Sequence, residues 1–259
     1  MNMDYLSLSM PQVLSSLVLI ALAVGISFLN RAGLEKQYLL GTIRSFFQLW
    51  AIGYVLLWLF EVKQPILYLL LIEVMIVVGT LTAARRQEYI CWKTQAAIWV
   101  ALHVSAILVG TYIFYAVLRV QPLINPHLFI PLMGMIIGNA ANGAALSVHR
   151  LRGEIENHKG EVEVALALGA TPMKAVEPYS ITTMRNALMP SLNTMMMMGV
   201  VQLPGIMSGQ ILSGIIPTEA VLYQIVVLYM MAGSVSLTCY ITIKLESKRF
   251  FTERWSLNV

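Results

Sequence analysis

Apolar runs as long as a bilayer is thick follow one another along this chain, which rules out an ordinary water-soluble core. A helix needs roughly 20 mostly apolar residues to cross the hydrocarbon layer, and seven stretches meet that length: 11–30, 39–60, 65–84, 95–118, 127–148, 186–213 and 219–245. The composition agrees. Of the 259 residues, 58% are hydrophobic and 12% charged, against about 25% charged in a typical soluble domain. The fold class expected is therefore all-α: a polytopic membrane protein of about seven transmembrane helices, forming one transmembrane domain over residues 1–259, with the lipid bilayer as its main partner. The net charge of +4 gives no nucleic-acid surface, because the basic residues are scattered between apolar runs rather than gathered on one patch. The first residues, MNMDYLSLSMPQ, lack a basic n-region and a small-residue cleavage site, so the first span is expected to be retained. Cys91 and Cys239 lie far apart and form neither a disulfide framework nor a metal knuckle.

Lys and Arg set the orientation, since loops rich in them stay in the cytoplasm. Arg31, Lys36 and Arg44 lie in or beside the first loop, Arg85, Arg86 and Lys93 in the third. Arg150, Arg152, Lys159, Lys174 and Arg185 follow in the long fifth connection, and Lys244, Lys248, Arg249 and Arg254 in the tail. Only Lys63 and Arg119 fall on the other side. The N-terminus is thus expected outside and the C-terminus inside.

The long polar interruption, 149–185, is where the chain departs from its oily composition. Residues 161–168 are mostly good helix formers. Gly169 suits the left-handed position that ends a helix. Thr171–Pro172 restarts one, with Thr as N-cap and Pro at the first helical position. Pro178 then kinks the second helix or ends it early. A helix, a tight turn and a second helix make a knuckle on the cytoplasmic side. No G-x-x-x-x-G-K-[ST] motif occurs, so the chain does not cradle ATP phosphates by that route. Residues Glu163, Ala165 and Gly169 fit the E-x-A-x-x-x-G core of the loop that resembles the coupling element of ABC-transporter permeases. The resemblance implies a coupling role for Glu163, Ala165, Gly169, Thr171 and Pro172, docking into a cytoplasmic ABC ATPase subunit. Read without it, the same stretch is a surface helix with a glycine cap.

In the sixth stretch, Leu203-Pro-Gly-Ile-Met-Ser-Gly209 interrupts an apolar run: Pro204 removes a helix hydrogen bond and Gly205 eases the bend. Gly205, Gly209 and Ser213 recur every four residues, as do Gly134 and Gly138 in the fifth span, the spacing of close helix packing. Asn139 and Asn142 follow, and amides at membrane depth need a neighbour or a wet cavity. The run Leu203-Pro-Gly-x-Met-Ser-Gly209 with Ile211, Gly214, Pro217, Ala220 and Tyr223-Gln-Ile225, together with Gly134-Met-x-x-Gly-Asn139, Leu168-Gly-Ala-Thr-Pro172 and Arg185-x-Ala-Leu-x-Pro190, resembles the iron-export permease (FetB) family, which includes plant aluminium-sensitivity and aluminium-tolerance membrane proteins. The resemblance implies an ABC permease subunit of the bacterial inner membrane, working as a homodimer. It implies no cofactor on this chain, ATP and Mg being held by the separate ATPase, and iron as the exported solute. Another exported solute, such as a UDP-sugar, or an ion-driven secondary transporter stays open as an alternative. Gln202 and Gln210 depart from the smaller or apolar side chains expected there.

Glu73 is the one carboxylate well inside a span. Such a charge costs a few kcal/mol and reads by default as functional, the alternative being a protonated or locally paired side chain. His103 reads as a lone structural histidine. The run Met195–Met198 points around a whole helix, which fits adaptable packing better than a ligand face. The pathway and hinge candidates are Asn139, Leu203, Pro204, Gly205, Met207, Ser208, Gly209, Gln224 and Glu73. No metal-ligand set converges in the sequence.

Overall fold

A computed structural model describes residues 9–62, 64–87, 91–119, 125–251 and 257. Lys63 and Arg254, two of the residues used for orientation, lie outside them. The chain divides into two compact units, Met1–Gln64 and Pro65–Val259. The first is a helical hairpin. Helix α1 (Met10–Ser15) runs into α2 (Leu17–Leu29), and α3 (Glu35–Val62) returns. Its turn is stapled by the Ser27 hydroxyl, which donates to Glu35 Oε1 at 2.8 Å and accepts the Leu34 N–H at 3.1 Å.

The second unit holds α4 (Pro65–Ala84), α5 (Trp92–Thr111, continued by a π-helical turn Tyr112–Val117), α6 (Pro126–Asn157), α7 (Lys159–Ala167), α8 (Pro172–Ala175), α9 (Glu177–Met197), α10 (Gly205–Leu212) and α11 (Pro217–Ser247). Among the described residues six helices are long and apolar enough to cross a membrane, two in the first unit and four in the second. The all-α polytopic architecture expected from the sequence is present. The sixth stretch differs. Instead of one span over 186–213 there are two helices, α9 and α10, separated by a turn segment over 198–204. Gly199 takes a φ of +93°, open to glycine, and its N–H donates to the Gln202 carbonyl at 3.0 Å. Pro204 has no N–H to continue a helix and becomes the cap of α10. Hydropathy alone cannot mark this break, because the turn residues are as apolar as the helices they join. The α9 helix itself carries Glu177, Thr182, Arg185 and Asn193, and falls short of a fully apolar span.

The long connection is also less of a loop than its polarity implies. Residues 149–157 continue α6, which is 32 residues long, and α9 has begun by Glu177. Only α7, α8 and their turns remain as the knuckle.

Between helices in lipid no hydrophobic force acts, so association rests on close packing at small residues. Helix α6 is built for that. Ala140 and Ala144 are fully buried, and a Cβ at Gly143 would lie 2.9 Å from Val235 Cγ1 and 3.0 Å from Cys239 Sγ on α11. On the opposite side a Cβ at Gly134 would lie 2.9 Å from Met75 Cε on α4. The expected small-residue seams hold only in part: added Cβ atoms at Gly138, Gly205 and Gly209 meet nothing within 4 Å.

At the basic end the knuckle is welded on. Val162 of α7 and Ala175 and Val176 beside α8 pack with Leu151 and Ile155 of α6 and Ile243 of α11 in one buried cluster. Next to it Glu246 of α11, only 4% exposed, accepts Arg249 Nη1 on both oxygens at 2.7 Å, and the same guanidinium bonds Thr94 in the first turn of α5. Buried charge tolerates this position only because it is paired.

Overpacking a close helix contact costs about 1–3 kcal/mol. Gly143→Leu should therefore lower the thermal midpoint of the detergent-solubilised chain by several degrees, whereas Gly138→Ala, in open space, should leave it unchanged. Tryptophan-fluorescence melting curves of the two variants give the comparison.

Candidate permeation groove, coupling knuckle and acid-base pair

Helices α6, α9 and α11 converge on a groove of about 210 Å³ whose polar wall is Asn139, Asn142, Ser191 and Thr194. Each is placed by its helix. Asn139 and Asn142 are three residues apart, hence on one face of α6. Asn139 Nδ2 donates to the Met135 carbonyl at 2.9 Å and lies 3.3 Å from Met231 Sδ on α11. Asn142 Oδ1 accepts Arg86 Nη1 at 3.3 Å, so a cation from the basic end reaches the groove. Pro190 sits inside α9, and Thr194 Oγ1 donates to its carbonyl at 2.9 Å. Of these four, Asn139 is among the pathway candidates the sequence offers; Asn142 is noted there only as an amide needing a neighbour or a wet cavity, and Ser191 and Thr194 are not noted. The Pro190-x-x-x-Thr194 spacing was the available signal, since a proline inside a helix leaves backbone groups for a hydroxyl to meet.

The segment around Pro204 is not part of this wall. Leu203 is exposed, Pro204 is buried at the head of α10, and Met207 and Ser208 are half-buried. Gly205 and Gly209 lie on the open side of that short helix. Gln224 is buried; its Nε2 approaches Met198 Sδ at 3.8 Å and so holds α11 to the turn segment after α9.

In the knuckle, Gly169 has a φ of +89° and closes α7 with a double bond pattern: Ala170 N–H to Ala165 C=O at 3.0 Å and Gly169 N–H to Leu166 C=O at 2.9 Å. This is the Schellman termination that a glycine permits. Thr171 is extended and Pro172 opens α8 as expected, although the Thr171 side chain makes no capping bond. Pro178 falls in the first turn of α9, so the second helix of the knuckle does end early. The underside faces the apolar cluster described above. The outer side shows Glu163, Val164 (60% exposed), Leu168 (83%) and Met173 (38%). Tyr179 on α9 ties the knuckle down: its hydroxyl donates to Glu161 Oε2 at 2.8 Å and its ring stacks on His158 at 4.8 Å.

Glu73 does not join the groove. It lies on the far side of α6, beside a cavity of about 390 Å³ between α4, α5 and α6. There His103 Nε2 is 2.7 Å from Glu73 Oε2, Trp99 Nε1 donates to Glu73 Oε1 at 3.3 Å, and His103 Nδ1 is 3.0 Å from the Trp99 carbonyl. His103, read from the sequence as a lone structural residue, is thus the partner of the lone intramembrane carboxylate. Both are equally far from the middle of the α4–α5 connection, the relation two facing residues of an antiparallel pair must have. Among the described residues no group of three or more His, Cys, Asp or Glu side chains gathers as a metal centre.

Comparison with known proteins agrees with this architecture. Residues 10–251 match the Uncharacterised protein family (UPF0014). The UPF0014 membrane protein YjkA of Bacillus subtilis is 35% identical over 96% of this chain and 96% of its own length. The rice UPF0014 membrane protein STAR2 is 36% identical over 92% of this chain and 82% of its own. The Probable iron export permease protein FetB of Escherichia coli is 34% identical over 94% and 93%. No solved structure matches the chain. With six membrane-length helices and a match over nearly the whole sequence, the chain belongs to the UPF0014 family of multi-pass membrane proteins.

Proposed function

We propose that this chain is the membrane-spanning subunit of an ABC-type exporter in the bacterial inner membrane, working as a homodimer with two cytoplasmic ATPase subunits and carrying iron as its cargo. The observation that carries the reading is the exposed apolar cap of the knuckle, Val164, Leu168 and Met173, at the end of the unit where the basic residues gather. Basic ends face the cytoplasm, so this cap faces water rather than lipid, and an apolar patch in water marks a protein-docking surface. The motif G-x-x-x-x-G-K-[ST] does not occur in the chain, and in this reading ATP and its magnesium are held by the partner that the cap receives. Iron as the cargo rests on similarity to the Probable iron export permease protein FetB of Escherichia coli.

The mechanism follows from what the knuckle is joined to. Its buried side shares one apolar cluster with the ends of α6 and α11, and α9 starts directly after it. Closure of the ATPases pushes the cap; the double-bonded turn at Gly169 does not fold away, and the push passes to α6, α9 and α11. Those are the three helices that line the groove. The break over 198–204, with glycine at 199 and proline at 204, separates α9 from α10 and lets α9 tilt with α11, to which Gln224 joins its far end. The amide and hydroxyl oxygens of Asn139, Asn142, Ser191 and Thr194 offer the moving ion a polar wall.

Leu168→Glu puts a charge at the centre of the docking cap. It should weaken ATPase association by about tenfold or more, as for a central interface residue, without altering the melting curve of the permease alone. Pull-down of the ATPase and transport-linked ATP hydrolysis read this out, with Gly169→Arg and Glu163→Lys as companions; unchanged coupling in all three removes the knuckle from the mechanism. Cells lacking the chain should hold more iron under iron load, measured by elemental analysis, and unchanged iron content with a flux of another solute would redirect the cargo.

Orientation has its own test. Cys91 caps α5 at the basic end, and the Lys93 backbone N–H, with Arg249 acting in the same sense, holds its thiol below the ordinary range. A membrane-impermeant maleimide should label Cys91 in inside-out vesicles but not in right-side-out ones, faster than a free thiol at neutral pH. Cys239, fully buried, should stay unlabelled.

A further inference from the structure

The pair Glu73–His103 sits where a charge is expensive. Each residue is eleven positions from the basic end of its helix, α4 or α5, or roughly 16 Å at 1.5 Å per residue, about half the thickness of the hydrocarbon layer. Its surroundings are apolar: Leu69, Ile72, Ile76, Ala106 and Phe114 line the cavity beside it, and Leu70, Val74 and Ile107 are exposed on the same pair of helices. Among the described residues lining that cavity on α4, α5, the π-helical turn and α6, Glu73 and His103 are the only ionisable ones.

The hydrogen bonds fix the protonation pattern. The Trp99 carbonyl can only accept, so His103 Nδ1 carries a hydrogen. In a neutral ring this leaves Nε2 with a bare lone pair, pointing at Glu73 Oε2 from 2.7 Å. Two lone pairs at that distance repel unless a positive particle lies between them. A proton or a metal cation can occupy that place, and with a cation there the pair is a chelate. Imidazole and carboxylate are the donors that suit divalent first-row cations, and a ring N–H donated to a backbone carbonyl is the support that metal-bound histidines carry. Trp99 Nε1 holds the second carboxylate oxygen at 3.3 Å and so fixes its rotation. Both side chains border the cavity, with 20% of His103 and 49% of Glu73 left uncovered by the protein.

We infer that Glu73 and His103 form a membrane-depth site for a divalent first-row cation, held by Glu73 Oε2 and His103 Nε2 with water in its remaining positions. One net positive charge results, which keeps occupancy weak and reversible, as a site that must also release its ion requires. The site lies apart from the polar groove and does not depend on the ATPase partnership.

Mn2+ binding to the purified full-length chain in lipid nanodiscs, followed by loss of the free-ion electron paramagnetic resonance signal, tests this without any transport assay. Because carboxylate and imidazole must both be deprotonated to ligate, the wild-type dissociation constant should rise as the pH is lowered. Glu73→Gln and His103→Gln should each weaken binding by about tenfold or more, as should, to a lesser degree, Trp99→Phe, which frees the carboxylate, while Gly138→Ala, in open space outside the cavity lining, should leave it unchanged. Absence of Mn2+ binding, binding indifferent to pH, or binding unchanged in both Gln variants would overturn the inference. The wild-type pH series stands even if a variant fails to fold.

Discussion

Everything in the second unit depends on how closely α6 can approach its neighbours. Lipid gives helices no hydrophobic reason to associate, so the energy must come from van der Waals contact, and that contact is won by leaving side chains out. Gly143 against Val235 and Cys239, and Gly134 against Met75, bring α11 and α4 to opposite sides of α6. With both seams closed, α6 has two faces left. One, with Asn139 and Asn142, opens on the groove shared with α9 and α11. The other, with Phe129 and Met133, backs the cavity beside Glu73 and His103. The central helix thus separates two polar sites of different chemistry, one of amides and hydroxyls reached by Arg86, the other an acid-base pair.

The same helix carries the mechanical link. Because α6 continues nine residues past the expected membrane boundary, its end is long enough to pack with the knuckle and with α11. The buried contacts of Leu151, Ile155, Val162, Val176 and Ile243, together with the Glu246–Arg249–Thr94 cluster that holds α5, make the basic end stiff. A docking surface on a stiff end can transmit a push; one on a flexible loop would absorb it.

Much of this was legible in the sequence. The apolar runs were long enough to name the spans of α2 to α6 and α11, and Gly169 and Pro172 marked the knuckle because each has a backbone role few residues can fill. The sixth stretch failed because hydropathy does not distinguish an apolar turn from an apolar helix: Pro204 and Gly205 were read as a bend inside one span, and Gly199 was passed over. The end of α6 was hidden by composition: residues 149–157 are polar, as a helix in water should be, and polarity was taken for a loop. Glu73 and His103 could be named singly but not as a pair, since their meeting depends on antiparallel register 30 residues apart. That register is readable once both are counted from the middle of the intervening connection.

The central claim is that the knuckle and the basic ends of α6 and α11 move as one body while the groove changes shape. Pairs of spin labels in the complex reconstituted with its ATPase test it most directly: one pair at Lys159 on α7 and Lys244 on α11, the other at Asn193 on α9 and Tyr229 on α11, beside the groove. Pulsed electron paramagnetic resonance with and without trapped nucleotide should show the first distance unchanged and the second shifted by several ångströms. A shift confined to the first pair, with the groove distance fixed, would contradict the account.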